Sequence, residues 1–121
     1  MPSAISARFP RVSRLRRPSE FKAAYAQGRR FGNELLSATV RANEGTRARL
    51  GLSIAARTVG NAVHRNRLRR LIRESFRQQA QLPPVDIVIG ARNAARTASP
   101  AELRATLQQM WKQIDEAWSQ K

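Results

Sequence analysis

The sequence has no cysteine, a single histidine, and only eight carboxylates against 23 Lys and Arg residues. Without thiols there is no disulfide framework, no thiolate zinc site and no cysteine nucleophile, and nothing favours export. One histidine excludes any acid–base mechanism that needs a pair. The carboxylates Glu20, Glu34, Glu44, Glu74, Asp86, Glu102, Asp115 and Glu116 are scattered along the chain. Only the last two adjoin, and helix neighbours point in different directions, so the clustered carboxylates of a metal-dependent nuclease are not indicated. They read as solvated caps and termini. Gly51, Gly60 and Gly90 fit neither GxGxxG nor a P-loop. No catalytic residue and no protein metal ligand is therefore expected. No apolar run approaches the ~20 residues of a membrane span, and the opening MPSAISARFPRVSRLRR lacks the apolar stretch of a signal peptide. These absences predict a soluble cytoplasmic protein.

What is abundant is positive charge: +15 over 121 residues, with 41% hydrophobic residues and only six Gly and six Pro. That composition supports one folded domain rather than a disordered chain. The self-repulsion makes sense if a polyanion neutralises it in use, and nucleic acid is the commonest such partner. Lys occurs only at Lys22, Lys112 and Lys121, the other cations being Arg. Arg suits bidentate phosphate contacts and base stacking, although a GC-rich genome produces the same bias.

Residues 1–17 mix small, polar and basic types without a period and read as a flexible basic N-terminal arm. Residues 18–121 read as a single RNA-binding α/β domain. Phe21, Ala24 and Tyr25 at i, i+3 and i+4 predict a helix over Pro18–Gln27, stopped by Gly28. Past Arg29-Arg30-Phe31-Gly32 the period drops to two. Leu36, Ala38 and Val40 then form one strand face, a turn follows at Asn43-Glu44-Gly45-Thr46, and Leu50, Leu52 and Ile54 alternate, which is a hairpin signal. A helix capped by Asn61 carries the apolar stripe Leu68, Leu71, Ile72 and Phe76 and ends at Leu82-Pro83-Pro84. The run Val85–Gly90 predicts a central strand parallel to the one ending near Ile54, since strand, helix and strand make a βαβ unit. Ser99-Pro100-Ala101-Glu102 is a capping box opening a last helix, with Leu103, Leu107, Met110, Trp111, Ile114 and Trp118 on its buried face.

The middle helix carries the densest chemistry. At 100° per residue Asn66, Arg70, Arg73 and Arg77 project away from the apolar stripe, Arg69 flanks them, and Arg65 and Arg67 splay from the first turns. His64, beside them, reads as a surface group facing RNA or solvent more readily than as a general base. Phe21, Tyr25 and Phe31 fit two roles. Their spacing favours core, while their nearness to Arg29, Arg30 and the basic arm fits a stacking platform for single-stranded nucleic acid.

The stretch Gly51-Leu-Ser-Ile-Ala-Ala-Arg-Thr-Val-Gly-Asn-Ala-Val-His-Arg-Asn-Arg-Leu-Arg-Arg-Leu-Ile-Arg-Glu74 resembles the diagnostic segment of the protein component of bacterial ribonuclease P. Leu15-Arg-Arg-Pro-Ser-Glu-Phe21 resembles the start of that family's first helix, and the likeness extends from about Phe9 to Trp118. The resemblance implies an α+β fold: an α/β sandwich of ribosomal-protein type, with a mixed sheet of about four strands and N- and C-terminal helices. It also implies a basic helix in a left-handed βαβ crossover, where general rules predict a right-handed one. It implies a subunit of a ribonucleoprotein endonuclease that removes the 5′ leader of precursor tRNA. The catalytic centre would belong to the RNA with its bound Mg2+, and the partners would be the catalytic RNA and precursor tRNA, with no protein partner required.

Carried over by position, Arg65, Asn66 and Arg67 would face the RNA, supported by Arg57, Arg69 and Arg70, with Asn61, His64 and Arg73 on the same surface. Phe21, Tyr25 and Phe31, with Arg29 and Arg30, would line the leader cleft, which moves Phe21 and Tyr25 from core toward site. Arg57 and Arg69 stand where Lys is common in the family, keeping charge while changing geometry. The rival reading is a ribosomal or chaperone RNA-binding protein unconnected with tRNA processing, which the same charge and layout permit.

Overall fold

The computed structural model describes residues 14–15, 17–79 and 82–118; most of the expected basic arm lies outside them. Helix α1 spans Pro18–Gln27. It is followed by strands β1 (Arg29–Gly32), β2 (Leu36–Ala42) and β3 (Arg49–Ser53), a one-turn helix α2 (Ala56–Val59) and helix α3 (Ala62–Arg77). Strand β4 (Val85–Ala91), a 3₁₀ turn at Asn93–Arg96 and helix α4 (Pro100–Trp118) complete the chain. No helix among the described residues is long and apolar enough to cross a membrane.

The helix starts follow from local chemistry. At α1 the Arg17 amide donates to Glu20 Oε1 at 3.0 Å. The Asn61 side chain accepts from the His64 amide at 3.1 Å, opening α3. Ser99 and Glu102 make the reciprocal bonds of a capping box at α4, Ser99 N to Glu102 Oε1 at 2.8 Å and Glu102 N to Ser99 Oγ at 3.1 Å. Helix α3 stops at Arg77, several residues before the two prolines expected to end it.

The four strands form one mixed sheet in the order β1-β2-β4-β3. Strands β3 and β4 are parallel, as the βαβ pattern predicts. The hairpin expected between β2 and β3 is absent, because β4 lies between them. The reason is burial. Residues Val85 to Ile89 of β4 are covered on both faces, as befits a strand at the centre of a sheet with a neighbour on each edge. The chain after β2 therefore steps over β4, where the Asn43 amide donates to the Pro84 carbonyl at 3.0 Å. The hairpin in this fold is β1–β2, pairing Arg29 with Val40 and Gly32 with Ser37.

Alternation splits the sheet into two faces. Leu36, Ala38, Val40, Leu50, Ile87 and Ile89 face the main core, which α3 closes with Leu68, Ile72 and Phe76 and α4 with Leu107, Met110, Trp111 and Ile114. The two helices are joined where Phe76 meets the edge of Trp111 at 5.8 Å and Trp111 Nε1 donates to the buried Ser75 Oγ at 2.8 Å. The other face carries α1 over a smaller cluster of Leu15, Ala24 and Val88, with Phe21 against it.

Candidate nucleic-acid interface

Helix α1 crosses the strands rather than following them. Gly51, Val88, Thr39 and Arg30 are aligned by register into one row across the sheet. Phe21 lies over Gly51 at one end of that row, and Gly28 lies against Thr39 toward the other. Gly51 is a place where a side chain does not fit: a β-carbon there would stand 2.7 Å from Phe21 Cζ and 3.0 Å from Leu15 Cβ.

The two flanks of α1 differ. On one, Asp86, fully buried, is clasped by Arg49 through Nε to Oδ1 and Nη2 to Oδ2, both at 2.9 Å. Arg49 also reaches Glu20 of α1 at 3.0 Å, Asn43 donates to Asp86 at 3.0 Å, and Arg41 donates to Gln27 of α1 at 2.6 Å. The hydrogen bonds to Asp86, more than the opposing desolvation, raise the Arg49 pKa above its ordinary value. This flank is latched. Tyr25, turned by about 140° from Glu20 around the helix, overhangs the opposite flank and is 46% exposed. Beneath that flank runs a second register row of small residues, Ser53, Gly90, Ser37 and Gly32. The result is a trough floored by small side chains and walled by α1.

At the β3 end the trough meets cations. Arg14 pairs alongside Leu50, and the Leu15 amide donates to the Leu50 carbonyl at 2.9 Å, so this segment lies on the free edge of β3. Arg14, Leu15, Phe21, Gly51, Arg69 and Arg73 line an open cavity of about 180 Å³. Burial, then the nearby Arg14 and Arg69 charges, lower the Arg73 pKa from its usual value. Like charges at i, i+4 on a helix repel, and Arg69 and Arg73 stand at that spacing.

Helix α3 presents its cations in two rows. Arg65, Arg69 and Arg73 at i, i+4 and i+8 are half-buried along the flank facing Arg14. Arg65 Nε is a buried donor without an acceptor among the described residues. Asn66, Arg67 and Arg70 are exposed on the crest, and Arg69 Nη1 reaches Asn66 Oδ1 at 3.5 Å. Asn61 and His64 are exposed in the first turn and Arg57 is exposed on α2. Gly60 turns the chain between α2 and α3 at φ 100°, a region that favours glycine.

The structure thus brings Phe21, Tyr25 and Arg30 to the trough face, and Arg69 and Arg73 to its end. It does not bring Arg29 and Phe31 there. Phe31 pairs with Ala38 in register and so belongs to the main-core face, packed on Trp118 with ring centroids 5.7 Å apart. Sequence reasoning missed Arg14 as a site residue, because it was read as part of the arm. It also missed Val63, 63% exposed among the crest cations, whose position one helical turn before Arg67 was the available signal. Arg96, on the unforeseen 3₁₀ turn, comes within 3.5 Å of where a Gly60 β-carbon would sit.

Comparison with known proteins gives the family and the fold. The family model for ribonuclease P matches residues 9–115. The ribonuclease P protein component of Thioalkalivibrio sulfidiphilus is 39% identical over 112 residues, covering 92% of this chain and 93% of that protein. The component from Halorhodospira halophila is 41% identical over 106 residues, covering 86% and 87%. Among solved structures, the Staphylococcus aureus RNase P protein superposes with a TM-score of 0.78 at 28% identity, over 83% of this chain and 93% of that one. The Thermotoga maritima protein, solved with 1-(4-fluorophenyl)-2-thiourea, gives 0.76 at 29% identity, over 83% and 98%. This chain belongs to the bacterial ribonuclease P protein family, the protein subunits that work with an RNA subunit in the endoribonuclease maturing tRNA 5′ ends.

Proposed function

We propose that the α3 surface binds the catalytic RNA while the trough beside α1 holds the single-stranded 5′ leader of precursor tRNA, in the cytoplasm and without a further protein partner. The observation that carries this reading is the continuity of the two surfaces. The row of small residues ends at Ser53 of β3, next to the Gly51 and Phe21 that line the Arg14, Arg69 and Arg73 cavity, and Arg69 and Arg73 share a helix with Arg65 and Arg67. Aromatic faces stack any base and cations follow any backbone, which suits leaders of varied sequence. An RNA phosphate also supplies an acceptor for Arg65 Nε.

Bond cleavage is assigned to the RNA subunit. Among the described residues no three His, Cys, Asp or Glu side chains gather as a metal-binding set. The ion is assigned mainly to the RNA. What the protein does is bind and orient. A prefolded helix and trough lose less ordering entropy on binding than a floppy basic tail.

The test is reconstitution with a bacterial catalytic RNA at low magnesium. The holoenzyme should bind precursor tRNA more tightly than mature tRNA. Tyr25→Ala should remove about 1–3 kcal/mol of that preference while leaving mature tRNA affinity unchanged. Equal losses on both RNAs, or cleavage by the protein without RNA, overturns the assignment.

A further inference from the structure

The trough has two ends. One is the arginine cavity at β3, next to the surface assigned to the catalytic RNA. The other is the β1 edge, where the row of small residues finishes at Gly32. Strand β1 is an edge strand, and consecutive residues point to opposite faces. Arg30 is exposed on the trough side, whereas Arg29, also exposed, turns over the edge toward the other face.

There the Arg29 guanidinium lies over two rings at once, 5.3 Å from the Phe31 centroid and 5.1 Å from that of Trp118. A cation held by ring faces keeps its N–H donors for an oxygen acceptor. It is also held in place, unlike an arginine waving in solvent. Arg30 and Arg29 are neighbours in sequence on either side of a strand only one backbone thick, so they mark a path out of the trough and around the sheet edge.

We propose that the β1 edge is a second subsite for the leader, in which Arg30 and the ring-held Arg29 take phosphates of nucleotides lying beyond the trough, farther from the cleavage site. This rests on the leader-trough reading above. Four strands at ~4.8 Å spacing span about 14 Å, which stacked nucleotides at ~3.4 Å each cross in about four. The edge should therefore engage only leaders longer than about four nucleotides. Phe31 and Trp118 serve here as the seat of the cation, which accounts for their lying on the face opposite Tyr25.

The experiment compares the reconstituted holoenzyme carrying Arg29→Ala with wild type on precursor tRNAs whose leaders run from about two to about ten nucleotides, across the predicted threshold of about four. The expected result is no change with short leaders and about fivefold weaker binding with long ones. The log–log salt slope on long leaders should fall by about 0.7, the value for one single-strand phosphate contact. Arg29→Lys, which keeps the charge, should recover most of that slope. A loss that is the same at every leader length, or no loss with long leaders, overturns the edge subsite. If wild type itself binds all leader lengths and mature tRNA alike, the leader-trough reading is what has failed. Circular dichroism of the exposed-site variants separates either result from misfolding.

Discussion

A single methyl at Gly51 tests whether Phe21 is a working wall of the trough or only filler beneath α1. The β-carbon of Gly51→Ala would stand 2.7 Å from Phe21 Cζ, 2.9 Å from Cε2 and 3.0 Å from Leu15 Cβ. Carbon atoms in contact prefer ~3.5–4.0 Å, so something must withdraw by about 1 Å. Leu15 is buried and tied by its backbone to Leu50; the half-exposed Phe21 ring is free on its cavity side and is what moves. Overpacking of this kind costs about 1–2 kcal/mol, partly offset because Ala suits a strand better than Gly. On the proposed leader reading the displaced ring leaves its stacking position, at about 1–3 kcal/mol of leader affinity, or roughly 5- to 150-fold. Urea unfolding of the free protein reads the first cost, and the precursor-to-mature binding ratio of the holoenzyme reads the second. A cycle with Phe21→Leu makes the reasoning strict. Once the ring is gone the methyl should be tolerated, giving a coupling of at least ~1 kcal/mol in leader preference. Additivity to within ~0.5 kcal/mol would refute the claim that Gly51 acts through Phe21.

Two other perturbations separate RNA contact from scaffold. Arg67→Ala should weaken binding of the catalytic RNA and lower its salt slope by about one unit with no change in urea midpoint; an unchanged slope makes Arg67 an idle surface charge. Asp86→Ala should cost about 3 kcal/mol of folding stability, the low end for breaking a buried pair because Arg49 keeps Glu20. A loss below about 1 kcal/mol in denaturant unfolding would show that α1 does not depend on this latch.

The helices were legible because their signals are local. Asn61, the Ser99–Glu102 box and the spacing of Leu68, Ile72 and Phe76 act within a few residues, and α3 and α4 start where those signals place them, as α1 does where the spacing of Phe21, Ala24 and Tyr25 begins after Pro18. Strand order was not legible. The turn at Asn43–Thr46 looks the same whether β3 returns beside β2 or passes over β4, and only the two-sided burial of β4, a non-local fact, decides it. Strand β1 escaped notice because four residues, two of them Arg, carry no strand signal of their own and pair only because β2 offers an edge. The exposed face of α3 carrying Asn66 and Arg70 could be assigned from helical rotation alone, whereas Arg73, expected beside them, is half-buried in the row of Arg65 and Arg69. The trough floor could not, since Ser53, Gly90 and Ser37 become a row only through register. Phe31 was grouped with Phe21 by nearness in sequence, and strand parity sends it to the other side.

The distribution of charge explains why so cationic a chain still folds into a scaffold with a definite orientation. Helix α4 exposes Arg104 and Lys112 among Glu102 and Glu116, with Asp115 half-buried, so that side is close to neutral. The repulsion is concentrated instead where Arg14, Arg69 and Arg73 converge, beside the buried donor of Arg65. Buried apolar contacts from Leu68, Ile72 and Phe76 hold α3 in place against that repulsion. A polyanion entering the row relieves the repulsion as well as making new contacts, so binding stabilises the fold and the fold presents the binding surface, two sides of one linkage. Polarity of charge then becomes polarity of docking: the neutral α4 side offers a polyanion little, and the α3 side with its adjoining trough is the surface proposed to take the RNA.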